Sequence, residues 1–356
     1  MRRGRAAAAR GMSAATQRLD IVAARARAAG GIAGKTDIAA VMNTLLPDHA
    51  QDAAPIRIGD DCAAIPQHGP DGDGYLLFAI EGFVNAFVQR MPWFAGYCGV
   101  MVNISDIAAM GGRPTAVVDA VWSRDTERAR PIVEGLAAAA RAYDVPVVGG
   151  HSNAHSGHEQ LSVAIVGRAK RLLTSFDARP GDVLVAAIDL RGRYREPFSH
   201  WDASSATPGA RLRGDLELLP ALAEAGLCHA AKDISMAGVV GTAMMLAECS
   251  RVGAVIDIDA VPCPPAIAPE RWLCDTFPSF GFVLAVAPAH VDAVVARFQA
   301  RDIGCAAIGH CDASQRLYLR EGAAERELWN FETHPFMACT PSRAGVATDA
   351  GTCCHA

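Results

Sequence analysis

The chain contains 356 residues, and its 38 acidic residues outnumber its 33 basic ones, which gives a formal net charge of −5. Apolar residues make up 51% of the chain, which excludes a disordered protein and suits two domains that each bury a core. The mild acidity argues against nucleic acid as the main partner. No apolar run reaches the roughly 18 residues that a membrane-spanning helix needs, so no membrane partner is expected.

The cysteines and the first thirty residues bear on location. Eleven scattered cysteines, an odd number without a Cys-x-x-Cys pair, indicate a reduced, cytoplasmic protein. Residues 1–30 hold seven arginines and one acid, a composition that organelle transit peptides share. Because alanine and arginine are abundant along the whole chain, we interpret this stretch as an ordinary bacterial leader, with Met12 as an alternative start.

Apolar periodicity predicts alternating helices and strands in both halves of the chain. Helices are predicted at 14–28, 37–46, 94–110, 130–143, 215–225, 239–249 and 290–300. Strands are predicted at 75–84, 116–122, 145–148, 161–166, 183–188, 255–258, 280–286 and 306–308. Residues 191–212, which include four arginines and are followed directly by Arg213, read as a polar surface loop.

The shared strand–helix–strand rhythm of the two halves predicts two α+β domains rather than one long parallel sheet. We divide the chain into a helical, glycine-rich arm at 1–50, a first domain at 51–171, a second at 172–335 and a tail at 336–356. The tail contains Cys353 and Cys354.

Acidic residues recur at the ends of predicted strands and the starts of predicted helices. They are Asp60, Asp61, Glu81, Asp106 and Asp233. All but Glu81 have a local alternative: a turn for the Asp60-Asp61 pair, and helix caps for Ser105 or Asp106 and for Asp233. Together they predict a site for Mg²⁺, which prefers oxygen ligands and bridges to phosphates.

Gly149-Gly150-His151-Ser152 follows a predicted strand, where glycines let a backbone approach a phosphate closely; a tight turn is the alternative. His155 and His158 extend this segment to His-x3-His-x2-His, the spacing of a conceivable zinc site. Its polar setting without a nearby cysteine favours a loop instead.

Residues 29–36 read A-G-G-I-A-G-K-T, which nearly matches a phosphate-binding P-loop. The preceding segment is arginine-rich and helix-like, whereas a P-loop follows a buried strand, so we do not predict one. Lys35 on a mobile glycine-rich arm could fold over ATP phosphates, or it could be an exposed linker lysine.

Four motifs together resemble the AIR synthase-related superfamily, which includes AIR synthase, thiamine-monophosphate kinase and selenophosphate synthetase. They are I-G-D-D at 58–61, N-I-S-D-I-A-A-M-G-G at 103–112, G-G-H-S at 149–152 and K-D-I-S-M-A-G at 232–238. The resemblance covers about residues 30–335 and is nearest to thiamine-monophosphate kinase. It implies a two-domain α+β fold that forms a homodimer through its N-terminal domain, with ATP and Mg²⁺ between the domains.

The resemblance also implies roles for individual residues. Metal ligands would be Asp60, Asp61, Glu81, Asp106 and Asp233, and we assign catalysis to Asp60, Asp106 and Asp233. Nucleotide contacts would come from Lys35, Asn103, Gly149, Gly150, His151 and Ser152.

Three departures from the kinase pattern bear on the substrate: Glu81 and His151 replace aspartates, and Met236-Ala237 replaces Asp-Gly. We therefore expect a Mg²⁺-dependent, ATP-using enzyme that phosphorylates or activates a small molecule, with the acceptor left open. The alternative is a divergent nucleotide-binding protein that acts as a scaffold or regulator.

Overall fold

The computed structural model of the protein describes residues 2–45, 56–68 and 73–338, with side chains from residue 14 onward except that of residue 43. The predicted boundary at 50/51, most of the tail, and Cys353 and Cys354 lie outside the described residues. Two helices come first, α1 (Arg2–Ala28) and α2 (Gly30–Leu45).

The first domain is a five-stranded sheet covered by helices on one face. In chain order it consists of β1 (Ala63–Gln67), β2 (Gly74–Gly82), α3 (Asn85–Arg90), α4 (Pro92–Ala109), β3 (Arg113–Trp122), α5 (Thr126–Tyr143), β4 (Val147–Asn153) and β5 (Gln160–Ala169). The strand order is β1-β2-β5-β3-β4, antiparallel except for the parallel pair β3–β4. Strand alternation sends Leu77, Val117 and Val163 to the helix side.

The second domain is built on a seven-stranded sheet in the order β15-β14-β10-β13-β6-β12-β9. Its elements are β6 (Val183–Ile188), β7 (Arg193–Tyr194), β8 (His200–Asp202), α6 (Gly209–Leu216), α7 (Leu218–Glu224), β9 (Ala230–Asp233), α8 (Gly238–Ser250), β10 (Gly253–Asp257), α9 (Pro269–Asp275), β11 (Phe277–Pro278), β12 (Gly281–Val286), α10 (Val291–Gln299), β13 (Gly304–Asp312), β14 (Arg316–Glu321) and β15 (Ala324–Asn330). The short strands β7, β8 and β11 form a separate sheet.

The large sheet of the second domain is buried on both faces, as the continuous apolar run of β6 requires. Leu184, Ala186 and Ile188 face α8, whereas Val185 and Ala187 face the core that includes α7 and α10. The predicted strand at 183–188 matches β6 residue for residue.

Helix α4 lies at the centre of the molecule, and every residue from Phe94 to Ala109 on it is buried. It packs on the first sheet, on α5, and on β9 and α7 of the second domain. A helix buried on all sides needs apolar or small residues all round. The polar Asn103, Ser105 and Asp106 on it are therefore exceptions that need a function or a partner.

The N-terminal helices, which the sequence analysis set apart as an arm, are packed on the second domain. Leu19, Val22 and Ala26 of α1 are fully buried in the same core as α8. Arg18 pairs with Asp259 and Glu321, and Arg25 pairs with Asp275, so α1 is also joined to the second domain by ion pairs. The glycine-rich stretch around Lys35 lies inside α2, because Gly30, Gly31 and Gly34 all take helical conformations.

The prediction of a polar surface loop at residues 191–212 is wrong, because the middle of this segment is buried. His200, Trp201 and Asp202 are buried, with Trp201 packed edge-on against Trp272. Three of its four arginines pair with buried acids, as Arg191–Asp189, Arg195–Asp202 and Arg211–Asp215. The polar composition therefore reflects internal ion pairs rather than a solvated basic face.

The start of the predicted tail is anchored. Phe336 is fully buried, and the backbone amides of Phe336 and Met337 donate to the carboxylate of Glu248 at 2.6 and 2.7 Å. The acceptor on α8 supplies the partners that these amides would otherwise lack, which fixes the chain here as part of the second core.

Candidate metal and nucleotide site

Three carboxylates from distant parts of the chain meet between the two domains. Asp61 precedes β1, Asp106 lies on α4, and Asp233 ends β9. One oxygen of each lies within 4.8 Å of the others, and this is the one such group of three or more histidine, cysteine, aspartate or glutamate residues in the described part of the chain. The predicted convergence of acids from both halves is thus present for Asp61, Asp106 and Asp233.

The helix caps considered for two of these acids do not exist. Asp106 lies inside α4, one turn from its C-terminal end, and Asp233 is a strand residue in β9. The N-cap position of α8 is occupied by Ala237. Neither aspartate therefore caps a helix, and both carboxylates point toward Asp61.

Asp61 is held in place by two donors from β9. Lys232 Nζ donates to one oxygen of Asp61 in a buried ion pair, and the backbone amide of Asp233 donates to the other at 3.3 Å. The nearby carboxylates outweigh burial and raise the pKa of Lys232, so that the ammonium stays charged.

Asp60 is hydrogen-bonded to Ser175, which lies outside the carboxylate cluster. Its carboxylate accepts the Ser175 amide at 2.8 Å and the Ser175 hydroxyl at 2.6 Å. Burial raises its pKa to about 6, against the opposing effect of Lys232. The structure thus places Asp60 beside the cluster, bonded to the segment that enters the second domain, and its predicted roles as ligand and catalyst remain predictions.

Glu81 and Lys35 border the cluster. Burial raises the pKa of Glu81, while the positive charge of Lys35 on α2 opposes that shift. Lys35 acts in the same way on Asp233. Lys35 thus adds positive charge on the side of Glu81 and Asp233, although it sits on a helix rather than on a mobile arm.

The donor set fits a hard divalent cation. Oδ2 of Asp106 is buried and has no hydrogen-bond partner among the described residues. Burial, then the charges of Asp233, Glu81 and Asp61, raise the pKa of Asp106 well above its usual range. Carboxylates crowded in this way repel one another unless a cation or protons neutralise them, and all of the donors are the oxygens that Mg²⁺ prefers.

Asn103 lies one turn before Asp106 on the same face of α4. It is fully buried, and its Nδ2 donates to the Gly99 carbonyl at 2.8 Å. Its Oδ1 has no hydrogen-bond partner in the part of the chain that the structure describes. An orphaned amide oxygen beside the cluster is available to a ligand or to ordered water. This placement agrees with the predicted nucleotide contact without testing it.

The Gly149-Gly150-His151-Ser152 segment is a strand rather than a turn after one. All four residues lie in β4, the exposed edge strand of the first sheet. His151 pairs with Ala120 in register, and its ring lies 6.2 Å from that of Trp122 on the sheet face away from α4. The structure brings none of these four residues into the carboxylate cluster, and their nucleotide contacts remain predictions.

Lys232 and Asp119 are two charged residues that the sequence analysis did not assign to the site. Lys232 precedes Asp233, and a lysine within an apolar segment (A-A-K-D-I) is a signal that calls for a buried partner. Asp119 lies on the helix side of β3 in the same row as Glu81, with Val163 between them. Burial raises the pKa of Asp119, and a Cβ on Gly150 would lie 2.8 Å from its Oδ2.

Comparison with known proteins identifies the family. The family model "AIR synthase related protein, N-terminal domain" matches residues 59–169, and that of the C-terminal domain matches residues 197–321. This chain belongs to the AIR synthase-related family. It is 46% identical over 290 residues to the uncharacterized protein sll0787 of Synechocystis, covering 81% of this chain and 88% of that protein.

Two solved structures of AIR synthase-like proteins share the fold. T. maritima PurL complexed with ATP has a TM-score of 0.62 and 20% identity, over 84% of this chain and 48% of PurL. AaThiL complexed with AMPPCP and TMP has a TM-score of 0.60 and 18% identity, over 81% of this chain and 95% of AaThiL. This chain thus spans about half of the PurL chain, and at these identities the likeness concerns the fold. The two-domain AIR synthase-like α+β fold predicted from the sequence is confirmed.

In the described part of the chain, no helix combines the length and the apolar character needed to cross a bilayer. Eight of the cysteines lie in this part, and no disulfide joins any of these eight. Seven of them are buried, which is typical of cysteines that act as small core residues.

Proposed function

We propose that the protein is a Mg²⁺-dependent, ATP-using enzyme that transfers the γ-phosphoryl group to, or otherwise activates, a small oxygen-bearing molecule. The observation that carries this proposal is the convergence of Asp61, Asp106 and Asp233 from both domains. Structures of the same fold with ATP and with AMPPCP add support. Acidic side chains gathered in a cleft are what a magnesium-bridged triphosphate requires.

Asp61, Asp106 and Asp233 would hold the cation together with Glu81 at the border. Bound Mg²⁺ supplies electrostatic neutralisation of the phosphate oxygens. Lys35 would face the phosphates from α2, and Asn103 would offer its orphaned Oδ1 to the ligand shell. Asp60 would act from beside the cluster, where its bonds to Ser175 join the cation site to the second domain.

A homodimer is part of this proposal. The first sheet is open on the face away from α4, where Phe78, Ile80 and Val118 expose 46%, 65% and 41% of their surface. Apolar side chains gathered on one sheet face are typical of a protein interface. A second copy on this face would also bring residues of the neighbouring edge strand β4, including His151, close to the other subunit.

A cytoplasmic location is also proposed, and it is supported by the absence of disulfides among the eight cysteines of the described residues. The AaThiL structure suggests an acceptor that carries phosphate, because AaThiL was solved with TMP. An acceptor screen should therefore start with TMP and extend to other small phosphorylated metabolites.

Single-turnover ATP consumption with Mg²⁺ and this acceptor panel tests the proposal. We expect Mg²⁺-dependent ADP formation by the wild-type protein and a loss of at least about 100-fold in Asp106→Asn, because one carboxylate ligand is neutralised. Asp292→Asn, an exposed acid on α10, is the matched control and should retain full activity.

Full activity of Asp106→Asn would refute the metal role of this residue. Tight ATP binding without turnover on any acceptor would favour the alternative, a nucleotide-binding scaffold. That alternative is consistent with His151 and Met236 standing where kinases of this family carry acidic residues.

A further inference from the structure

A single buried lysine lies inside the carboxylate cluster. Only three of the 33 basic residues of the chain are lysines, at positions 35, 170 and 232. Lys170 is exposed, whereas the side chain of Lys232 is 6% exposed and forms an ion pair with Asp61, itself 5% exposed. Burying an ammonium group is costly unless a carboxylate compensates it, so the pair must be considered as a unit.

The two bonds to Asp61 fix its direction without using up its ligand capacity. One oxygen accepts Lys232 Nζ and the other accepts the Asp233 amide. An ionised carboxylate offers about four lone-pair directions, so at least two remain free toward Asp106 and Asp233. The arrangement orients Asp61 before any cation arrives.

The charge of Lys232 also bears on the cluster when it holds no cation. Asp61, Asp106 and Asp233 lie within one group, and Glu81 raises the pKa of Asp106 from its border position. Four acids this close favour unfolding unless something offsets their repulsion. Lys232 is buried among them, whereas Lys35 is only partly buried on α2.

We propose that Lys232 is a positioning residue: a built-in counter-ion that orients Asp61 and keeps the cation site folded while no divalent cation is bound. The inference rests on the metal site of the proposed function. It predicts that, without Lys232, the folded state depends on a divalent cation to replace the missing positive charge.

Thermal unfolding of the full chain tests this role without measuring activity. Wild type, Lys232→Met and the exposed control Lys170→Met are compared in EDTA and then with Mn²⁺ added alone. We expect Lys232→Met to lose about 6 °C or more of Tm in EDTA, as for a buried ion pair that has lost one partner. Mn²⁺ should restore more Tm to this variant than it adds to wild type, because binding to the folded state stabilises it.

The double variant Asp61→Asn/Lys232→Met separates an orphaned charge from lost packing. Removing both partners leaves no uncompensated carboxylate at position 61, so the double variant should regain most of the Tm in EDTA. It carries the test even where Lys232→Met alone does not fold.

Equal Tm of Lys232→Met and Lys170→Met in EDTA would overturn the inference, as would a double variant no more stable than Lys232→Met. A third result would contradict the proposed metal site: Lys232→Met loses Tm in EDTA and the double variant regains it, but Mn²⁺ changes the Tm of neither wild type nor Lys232→Met. It would still support the counter-ion role of Lys232 for the empty cluster.

Discussion

His200 shows how a single residue links burial to pH. Its ring stacks on Phe87 with centroids 4.4 Å apart, and Phe94, Phe198 and Phe277 surround it edge-on. Its Nδ1 is buried, and no described residue forms a hydrogen bond with it. Burial lowers the pKa of His200 from 6.5 to about 4, because the charged ring has no counter-ion in this apolar setting.

The sign of the resulting pH effect follows from proton linkage. Between pH 6.5 and 4 the unfolded chain binds a proton at this position that the folded protein excludes, so the free energy of unfolding falls as pH falls through this range. At pH 5 the loss from this one group is about 2 kcal/mol. We predict that His200→Phe, which keeps the aromatic packing, removes this part of the loss.

Urea unfolding at pH 7.5 and pH 5.0 measures this loss in the free energy of unfolding. His155→Gln, at an exposed position, should show the same loss as wild type. If the free energy of unfolding of His200→Phe falls between the two pH values as much as that of wild type, the pKa of His200 is not lowered in the folded protein.

The candidate site was predictable residue by residue only in part. Asp106 and Asp233 stand in dense motifs that mark them as more than local caps, and Asp61 stands two positions after Gly59 in a similar motif. The neighbouring Asp60 carries the same local signal, yet it bonds to Ser175 instead. Periodicity cannot separate two adjacent acids, because their directions depend on a segment 115 residues away.

At the level of elements, the central pair α4 and α5 is defined by two reciprocal glycines. A Cβ on Gly96 would lie 1.9 Å from the Ile132 carbonyl oxygen, and a Cβ on Gly135 would lie 1.9 Å from that of Trp93. The two backbones therefore touch directly, and no larger residue fits at either position without moving a helix.

We predict that Gly135→Ala lowers the free energy of unfolding by about 2–3 kcal/mol through overpacking, despite the better helix propensity of alanine. Gly34→Ala on α2 is the matched control, because nothing lies within 4 Å of its Cβ position. The control should gain about 0.5–1 kcal/mol. The denaturant midpoints of the two variants measure both changes in stability. A Gly135→Ala protein as stable as the control would refute the close packing of α4 on α5.

The elements themselves follow well from periodicity where a run is long. The helix predicted at 94–110 is α4 within two residues, and β6 is matched throughout. Shorter or more polar elements were not predicted from the sequence, including β1, α3, β14 and β15. Alternation in β14 and β15 is hidden by arginine and glutamate, whose pairs such as Arg316–Glu327 stabilise the strands across the sheet.

For the whole molecule, the open face of the first sheet predicts self-association. Ile80, Ala164 and Val118 form one row across three strands, with Phe78, Val166 and Ala116 in the next. We predict that Ile80→Glu converts a dimer into a monomer, because an uncompensated charge at an apolar interface costs several kcal/mol.

Sedimentation velocity of the wild type and the variant measures the change. Val133→Glu on α5 replaces another exposed apolar residue, on the opposite side of the sheet, and should leave the dimer intact. A monomeric wild-type protein would remove the proposed interface.

The division of the chain into domains at 51–171 and 172–335 remains a prediction at the level of exact boundaries. The position of α1 adds a feature that composition obscured. An arginine- and alanine-rich stretch suggests a leader, yet the apolar residues of α1 at intervals of three and four complete the core of the second domain. Only the fold shows which surface this stripe meets.

Mg²⁺-dependent nucleotide binding tests the central claim most directly, namely that carboxylates from both domains meet around a divalent cation that holds a triphosphate. Calorimetric titration of ATP into the wild-type protein, with Mg²⁺ and with EDTA, measures it. We predict saturable binding with Mg²⁺ and at least about 100-fold weaker binding in EDTA, because the repulsion between the carboxylates and the phosphates is then unscreened. Absence of binding in Mg²⁺, or equal affinity under both conditions, would contradict the account.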